Sequence, residues 1–169
     1  PPSTVQEYFQ ILKDTLIAHE LPAWRHSLKR KALATSKLYF FDGGVARQLQ
    51  QRRGLAPGTP EYGGAFESYI HHELRTYCDY VGDRDLHYWR STSGFEVDFI
   101  LNHRTAIEVK AKKDISDRDL RGMRALKQEG VLERYVVVSM ESAPRETGDG
   151  LLILPWAEFV DRLGLGEFD

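Results

Sequence analysis

The chain has 169 residues, 41% of them hydrophobic and 28% charged, with a formal net charge of −2. This balance predicts one globular domain, or one domain with a short appendage, and no overall basic field that would attract nucleic acid. A single cysteine, Cys78, excludes an internal disulfide and a cysteine-based zinc cluster. No apolar run approaches the roughly 18 residues that span a bilayer, so we predict a cytoplasmic chain without a membrane partner.

Residues 1–53 predict a helical segment followed by a basic stretch. Ser3 and Gln6 have the spacing of a capping box, and apolar residues then recur at helical spacing to about Ala18. This helix is similar to the recognition helix of a winged-helix module. Because the chain starts at Pro1 without Met and no helices precede this one, we interpret the segment as a winged-helix remnant of a longer unit.

The basic stretch between Trp24 and Arg53 contains a single acid, Asp42. Such a patch attracts phosphates and predicts contacts with a DNA backbone. The candidate DNA-binding residues are Arg25, Lys29, Arg30 and Lys31. The other cations of the stretch are Lys37, Arg47, Arg52 and Arg53. A solvated surface fits the same residues at least as well.

Glycines and prolines at residues 54–64 predict a linker that divides the chain into segments 1–53 and 64–169. The predicted elements, in chain order, are an extended piece at 21–24, strand 37–41, helix 45–51, helix 65–81, strands 86–90, 95–101 and 105–111, helix 117–129 between a Ser116 cap and a Gly130 terminator, strand 135–138, a polar loop at 145–150, strand 151–154 and a final helix with Pro155 as its first residue. This order predicts an α/β fold with a mixed sheet between helical layers.

Two neighbouring predicted strands carry acids at alternate positions. Glu96 and Asp98 share one face of the first strand, because successive side chains of a strand point to opposite faces. Glu108 and Lys110 share one face of the second strand for the same reason. If the turn between the strands is centred on His103, Asp98 lies opposite Glu108, with Cβ atoms about 4.5–5.5 Å apart. A shift of one residue would abolish this opposition.

Two close carboxylates repel each other unless a positive group lies near them. Lys110 supplies part of that charge, and Mg²⁺ or Mn²⁺ would supply more, since a hard cation takes oxygen ligands from one or two carboxylates. Such a metal polarises a phosphodiester and activates a water molecule, which the lysine would orient or deprotonate. By itself, however, this pair of strands favours an ordinary solvated sheet face with a cross-strand Lys–Glu pair.

The helix predicted at 65–81 has two acids inside its apolar stripe, Glu67 and Glu73. A buried carboxylate needs a cation, a hydrogen bond or a metal, so two of them predict a polar pocket between helix and sheet. Helical position leaves open which glutamate reaches the pocket. The neighbouring His71 and His72 are predicted at the polar edge of the helix, without the spacing of zinc ligands.

Taken together, a helix carboxylate followed by G-F-E-V-D-F-I-L and I-E-V-K-A resembles the PD-(D/E)XK nuclease superfamily. More narrowly, F-E-S-Y-I-H-H-E-L, Y-W-R-S-T-S-G-F-E-V-D-F-I and I-E-V-K-A look like an uncharacterised domain that follows the ATPase module in a group of bacterial and archaeal AAA-type ATPases. The stretch K-L-Y-F-F-D-G-G-V-A resembles the upstream segment of that domain. The resemblance extends from about Thr4 onward, and Val97 stands where the superfamily signature has proline.

The resemblance implies a restriction-endonuclease-like α-β-β-β-α-β core with a mixed sheet flanked by helices. It also implies that Asp98 and Glu108 are metal ligands, with the carbonyl of Val109 as a third. Lys110 would be the catalytic lysine and Glu67 the helix glutamate of the site. The second choices are Glu73 and Glu96.

We therefore predict Mg²⁺-dependent hydrolysis of DNA by a domain attached to an ATPase module in the same polypeptide. No ATP site is predicted here, because the motif G-x-x-x-x-G-K-[ST] is absent from the sequence. The alternative is a catalytically silent domain that serves the ATPase by binding DNA, another protein or its own copy in a homo-oligomer. A transcriptional module built on the N-terminal helix fits least well.

Overall fold

A computed structural model describes residues 2–51 and 54–169 of the chain. Its elements are α1 (Pro2–Asp14), β1 (Ala18–Leu21), β2 (Lys37–Phe40), α2 (Gly43–Leu49), α3 (Pro60–Val81), β3 (Leu86–Arg90), β4 (Glu96–Leu101), β5 (Thr105–Lys110), α4 (Arg121–Lys127), β6 (Arg134–Ser139), β7 (Arg145–Glu146), β8 (Leu152–Pro155) and α5 (Trp156–Gly164). Within these two ranges, no helix is long and apolar enough to cross a membrane.

Six strands form one mixed sheet in the order β3-β4-β5-β6-β8-β7. The strands β3, β4 and β5 are antiparallel, β5, β6 and β8 are parallel, and β7 is antiparallel to β8. Helix α4 connects the parallel strands β5 and β6, since a parallel pair requires a crossover. It packs on one face of the sheet, and α3 and α5 pack on the other. The predicted α/β fold with a mixed sheet flanked by helices is confirmed.

The sheet separates two apolar layers. The α3 layer, shared by α3 and α5, includes Phe66, Ile70, Phe99, Ile107, Val109 and Phe159. The α4 layer includes Trp89, Val97, Ile100, Ala106, Met123 and Leu126. Strand β6 contributes to both layers, because Val136 and Val138 lie in the first and Val137 in the second. Its run of β-branched residues is typical of a strand covered on both faces, as predicted.

The N-terminal segment shares these layers. Strands β1 and β2 form a two-stranded antiparallel sheet. Leu21 and Tyr39 lie in the α3 layer and Trp24 lies in the α4 layer. The backbone N–H of Trp24 donates to the carbonyl of Tyr88 on the edge strand β3. The division of the chain at residues 54–64 and the winged-helix interpretation stay predictions, and both apolar layers contain residues from each segment.

Two predicted helix starts or ends in the first half of the chain are wrong. Helix α1 ends at Asp14, and Ala18 begins β1. Helix α3 begins at Pro60 rather than at residue 65, because Thr59 accepts a hydrogen bond from the N–H of Tyr62 at 3.3 Å and proline fits the first helical position. The side chain of Ser3, the predicted cap of α1, lies outside the described residues, as do Arg52 and Arg53 of the basic stretch.

The second half of the chain departs from prediction at three places. Helix α4 is shorter than predicted and is not capped by Ser116, whose N–H and hydroxyl donate to the carboxylate of Asp119 in the turn before the helix. Gly130 has the positive φ of a terminating glycine, 71°, but lies two residues beyond the cap residue Gln128. Pro155 ends β8 and precedes α5, and the predicted loop at 145–150 contains β7.

Helix α4 approaches β4 closely at Gly122. A Cβ atom at this position would lie 2.2 Å from the carbonyl oxygen of Glu96, so any side chain must displace backbone. We expect Gly122→Ala to lower the free energy of unfolding by about 1–3 kcal/mol, the usual cost of overpacking. Urea denaturation measures this cost. The control is Gly63→Ala in α3, which meets no atom within 4 Å and should be neutral or stabilising. Equal stability of the two variants would contradict the close approach.

Candidate functional site

The hairpin of β4 and β5 has the predicted register. Its backbone pairs are Phe99–Ile107, Ile100–Ala106 and Leu101–Thr105. These pairs centre the turn on His103, as the sequence predicts. The ladder of pairs ends there, before it reaches Asp98 and Glu108, so the two acids lie at a gap between the strands.

A β-bulge in β4 sets the position of Asp98. The register with β3 shifts by one, so that Tyr88 stands opposite two residues, Asp98 and Phe99. The extra residue interrupts the alternation of the strand, and Val97 and Ile100 both belong to the α4 layer while Phe99 belongs to the α3 layer. The bulge therefore directs Asp98 toward the side of the sheet that α3 covers.

Glu108 and Lys110 approach the gap from the opposite side. In β5, Val109 belongs to the α3 layer and Ala106 to the α4 layer, so alternation places Glu108 and Lys110 on the side of α4. Asp98 and Glu108 were predicted to oppose each other on one face of the sheet, and in the structure they lie on different faces. The charge of Glu108 still acts on Asp98 across the gap. The two acids lie on different sides because the bulge interrupts the period of two on which the prediction depends.

Asp98 and Glu108 are both buried, with 8% and 5% of their respective residue surfaces exposed to solvent. Asp98 accepts a hydrogen bond from the N–H of Val109 at 2.9 Å. Burial and the charges of Glu108 and Glu67 raise the pKa of Asp98 well above its ordinary value. Burial also raises the pKa of Glu108. The Oε2 atom of Glu108 has no hydrogen-bond partner in the described part of the chain, so the gap is short of positive charge.

Lys110 donates a hydrogen bond to the carboxylate of Glu108. Burial by itself lowers the pKa of Lys110, but the charges of Glu108 and Asp98 outweigh it and raise the pKa above its ordinary value. Lys110 is therefore an ammonium group at neutral pH. Of its two predicted roles toward a water molecule, orienting the water fits this state, whereas accepting a proton from the water does not.

A second lysine, Lys37 at the start of β2, lies among three carboxylates. Its Nζ atom lies 2.6 Å from Oε1 of Glu96, 3.4 Å from Oε1 of Glu67 and 3.8 Å from Oδ1 of Asp98. Burial alone lowers the pKa of Lys37, but the charges of Glu67 and Asp98 and the contact with Glu96 raise it. Lys37 is therefore charged and balances part of the negative charge that the acids concentrate.

The acids Glu67, Glu96, Asp98 and Glu108 are called the carboxylate cluster below. Tyr39, two residues further along β2 than Lys37, also contacts this cluster. Its hydroxyl donates a hydrogen bond to Oε1 of Glu67, and burial together with the charge of Glu67 raises the pKa of the hydroxyl. The ring stacks on His71 with the centroids 4.0 Å apart. Lys37 and Tyr39 were not predicted as site residues. Their period of two in a predicted strand, the same spacing as Glu108 and Lys110, was the available signal.

The structure brings one of the two second-choice acids into the cluster. Glu96 contacts Lys37 and lies 3.4 Å from the guanidinium of Arg90. Glu73 lies elsewhere, beside Tyr69, whose pKa it raises together with burial. Glu67 and Glu73 are six residues apart on α3, which separates them by about 120° around the helix. They therefore cannot reach the same pocket.

Two open clefts adjoin the acids. One of about 420 Å³ lies between the start of α3 and the end of β5, and includes Glu67, Asp98 and Lys110 in its lining. The other, of about 360 Å³, lies beside Glu108 and Lys110 and includes Arg118 and Arg121 from the approach to α4. Lys110 lines both clefts, so solvent and a ligand have access to the site from either side of the sheet.

Comparison with family profiles shows two matches. Residues 62–159, more than half of the chain, match a family described as a domain of unknown function, DUF4143. The chain belongs to this family. Residues 2–56 match a second profile, also described as a domain of unknown function, DUF8612. No curated protein and no solved structure matches the chain.

The segment that matches DUF4143 contains Lys110 and the four acids of the carboxylate cluster. Lys37 and Tyr39 lie in the segment that matches DUF8612. The carboxylate cluster is therefore assembled from both segments. This arrangement follows from the packing of β2 against α3 and β4, through the contacts of Lys37 with Glu67 and Glu96. The family match agrees with the resemblance to an uncharacterised domain, and it carries no description of an activity.

Two of the predicted DNA-binding residues make contacts within the chain. Arg30 donates to Glu129 at 3.0 Å and to the carbonyl of Ala125, and Lys29 donates to the carbonyl of Gln128. These bonds attach the basic stretch to the end of α4. Among the described residues, the side chains of Arg25 and Lys31 are exposed and form no such bonds. Contact with DNA stays a prediction for all four.

The donors at the gap are of the type that Mg²⁺ takes. In the part of the chain that the structure describes, no group of three or more His, Cys, Asp or Glu side chains is arranged to hold a metal ion. A magnesium site commonly uses only one or two carboxylates, with water and substrate phosphate as the other ligands. Asp98 and Glu108 supply two carboxylates of this kind from the two sides of the gap, and the buried Oε2 of Glu108 has no partner among the described groups. The residues therefore fit a magnesium ion.

Proposed function

We propose that this chain is a Mg²⁺-dependent nuclease of PD-(D/E)XK type that hydrolyses phosphodiester bonds in DNA. The proposal rests on the two buried acids Asp98 and Glu108. One carboxylate oxygen of Glu108 has no hydrogen-bond partner among the described residues, and its other oxygen contacts the ammonium of Lys110. Burial raises the pKa of both acids, and the charge of Glu108 raises that of Asp98 further. Such buried acids are costly to keep for structure alone, and groups of this kind are enriched at functional sites. The β-bulge at Asp98 is a feature that also recurs next to active sites.

In this proposal Asp98 and Glu108 would hold the metal, with the carbonyl of Val109 as a further ligand. A bound Mg²⁺ would polarise the phosphodiester and lower the pKa of a water molecule. Lys110 would orient that water and neutralise charge on the phosphate. The water oxygen would bond to phosphorus as the bond to the leaving sugar oxygen breaks. The proton that the water loses would pass to solvent in the open clefts, and the leaving oxygen would take a proton from the same solvent. Glu67 holds Tyr39 and Lys37 at the edge of the pocket.

The DNA backbone is proposed to lie along the two clefts that Lys110 joins. Arg118 and Arg121 line the cleft on the α4 side, and Lys112, whose ammonium contacts Asp119, lines the cleft on the α3 side. Cations therefore border the acids on both sides. A phosphate backbone is bound mainly through such cations, independent of base sequence. We also propose that an AAA-type ATPase module in the same polypeptide delivers the DNA, an expectation that comes from the resemblance.

Incubation of the chain with single-stranded, duplex and branched DNA in Mg²⁺ or Mn²⁺ tests the activity. We expect metal-dependent cleavage of at least one substrate, with no cleavage in EDTA. Lys110→Met should lower the rate by about 100-fold or more, because it removes the group that orients water, and it should retain Mn²⁺ binding. Lys113→Met, an exposed lysine three residues away, is the matched control. Cleavage that is absent throughout, or is equal in both variants, would refute the proposal.

The alternative is a catalytically silent domain that binds DNA, a protein or its own copy. The position of Lys37 favours it, because an ammonium already lies among Glu67, Glu96 and Asp98. Calorimetric titration with Mn²⁺ separates the two functions. Saturable binding that disappears in Glu108→Gln supports the nuclease, and no binding at any accessible concentration supports the silent domain. Glu7→Gln on α1, an exposed position, is the control for a general effect of charge.

A further inference from the structure

The carboxylate cluster has more acids than internal cations. Glu67, Glu96, Asp98 and Glu108 supply four carboxylates. Among the described residues, the cations that contact them are the ammonium ions of Lys37 and Lys110 and the guanidinium of Arg90. Arg90 is half exposed and reaches only Glu96, so solvent screens its charge. Lys37 is the one of these cations that contacts three acids at once. It is thus the main internal counter-ion on the α3 side of the sheet.

Lys37 and a divalent cation would share the same negative region. The Lys37 ammonium lies 3.8 Å from Asp98, which is also a proposed metal ligand. A cation bound to Asp98 would therefore have a like charge at close range, and like charges within about 4–6 Å disfavour each other strongly in a partly buried site. The aliphatic part of the lysine side chain places the ammonium 5.1 Å from the ring centroid of Tyr88, which gives it a second favourable contact.

We propose that Lys37 is a built-in counter-ion that competes with the divalent cation, so that metal binding requires the ammonium to withdraw from Asp98. This inference rests on the proposed function. It assigns the segment that matches DUF8612 a direct part in the site, since that segment supplies the competing charge. Lys37 is a positioning residue in this account. It holds the acids together in the metal-free chain and sets the concentration of cation at which the site fills.

Calorimetric titration of the whole chain with Mn²⁺ tests the competition. We expect Lys37→Met, which keeps the apolar stem and removes the charge, to bind Mn²⁺ about tenfold more tightly than the unsubstituted chain, or more. Lys37→Gln should behave in the same way and can still donate hydrogen bonds to the carboxylates, so it serves if the methionine variant does not fold. Lys113→Met, which removes a lysine outside the cluster, should leave the affinity unchanged.

Thermal unfolding supplies a readout that is independent of cleavage. In EDTA, Lys37→Met should unfold at a lower temperature than the unsubstituted chain, because the acids lose their counter-ion. The same excess of Mn²⁺ should raise its Tm by more than it raises that of the unsubstituted chain, since at a given concentration a ligand that binds more tightly stabilises the folded state more. A purely structural lysine would lower Tm without changing the response to Mn²⁺.

The outcomes separate this inference from the nuclease function. If the unsubstituted chain binds Mn²⁺ and both Lys37 variants bind equally or more weakly, the competition is refuted and the nuclease function is unaffected. If only the Lys37 variants bind, the competition is supported and the native site is a silent one. If neither the chain nor its variants bind, both proposals are refuted.

Discussion

Asp98→Asn is expected to remove detectable DNA cleavage and Mn²⁺ binding while it stabilises the metal-free chain at pH 8. Loss of an outer-shell partner alone typically costs 10- to 100-fold in metal affinity or activity, so loss of a proposed direct ligand should cost more. The amide oxygen of asparagine can still accept the hydrogen bond from the N–H of Val109. The fold should therefore survive the change.

The gain in stability follows from the raised pKa of Asp98. Burial and the charges of Glu108 and Glu67 disfavour the ionised carboxylate, and each pKa unit corresponds to about 1.4 kcal/mol. The pKa is higher in the folded than in the unfolded chain, so folding loses stability as the pH rises above the ordinary carboxyl value. Asparagine removes this cost. Its gain in Tm, measured in EDTA, should be present at pH 8 and absent near pH 4.

Asp161→Asn is the matched control, because Asp161 is exposed on α5 and far along the chain from the cluster. It should change neither cleavage nor the difference in Tm between the two pH values. If Asp98→Asn cleaves at the native rate, Asp98 is not a metal ligand. If it unfolds at a lower temperature than the unsubstituted chain at pH 8, the carboxylate is instead a stabilising part of an ion pair.

Acid should destabilise the chain through His71. This residue is 4% exposed, and its ring stacks on Tyr39 at 4.0 Å. Burial, with the charges of His19 and Arg75, lowers the pKa of His71 from 6.5 to about 4. Between about pH 6.5 and pH 4, His71 is therefore protonated in the unfolded chain and neutral in the folded chain. The free energy of unfolding should therefore fall by about 3 kcal/mol across this window.

His71→Phe isolates that contribution, because phenylalanine can stack on Tyr39 but cannot titrate. Urea denaturation between pH 7 and 4 should show a flatter decline in this variant than in the unsubstituted chain, whatever its stability at pH 7. His72→Phe changes the exposed neighbouring residue and should retain the native slope. If His71→Phe also retains that slope, His71 already accepts its proton at an ordinary pH in the folded chain.

His71 also shows a limit of helical periodicity as a predictor. The pattern placed it at the polar edge of the helix, and that prediction is wrong, because the surface over the edge is covered. Tyr39 arrives there from β2, and its ring contacts both His71 and Phe99. A hydrophobic stripe describes only the face that a helix turns toward one sheet. It does not describe a second layer that a distant segment of the chain provides.

Local interactions explain what could be predicted from sequence. The alternation of apolar residues predicted β4 and β5, and a continuous run of β-branched residues predicted β6. A short turn centred on His103 predicted the register of the hairpin, because a turn of fixed length leaves one pairing. The acids Asp98 and Glu108 were identified in the same way. These features depend on neighbours within a few residues, so the sequence by itself determined them.

The tertiary structure decided which side chains share the pocket. A bulge opposite Tyr88 moved Asp98 out of strict alternation, and no local pattern marks that extra residue. Lys37 lies 61 positions before Asp98 in the chain, yet it supplies a counter-ion within 3.8 Å. Contacts of this kind depend on how whole layers pack, because the energy of a buried charge is set by everything that surrounds it rather than by its neighbours in sequence.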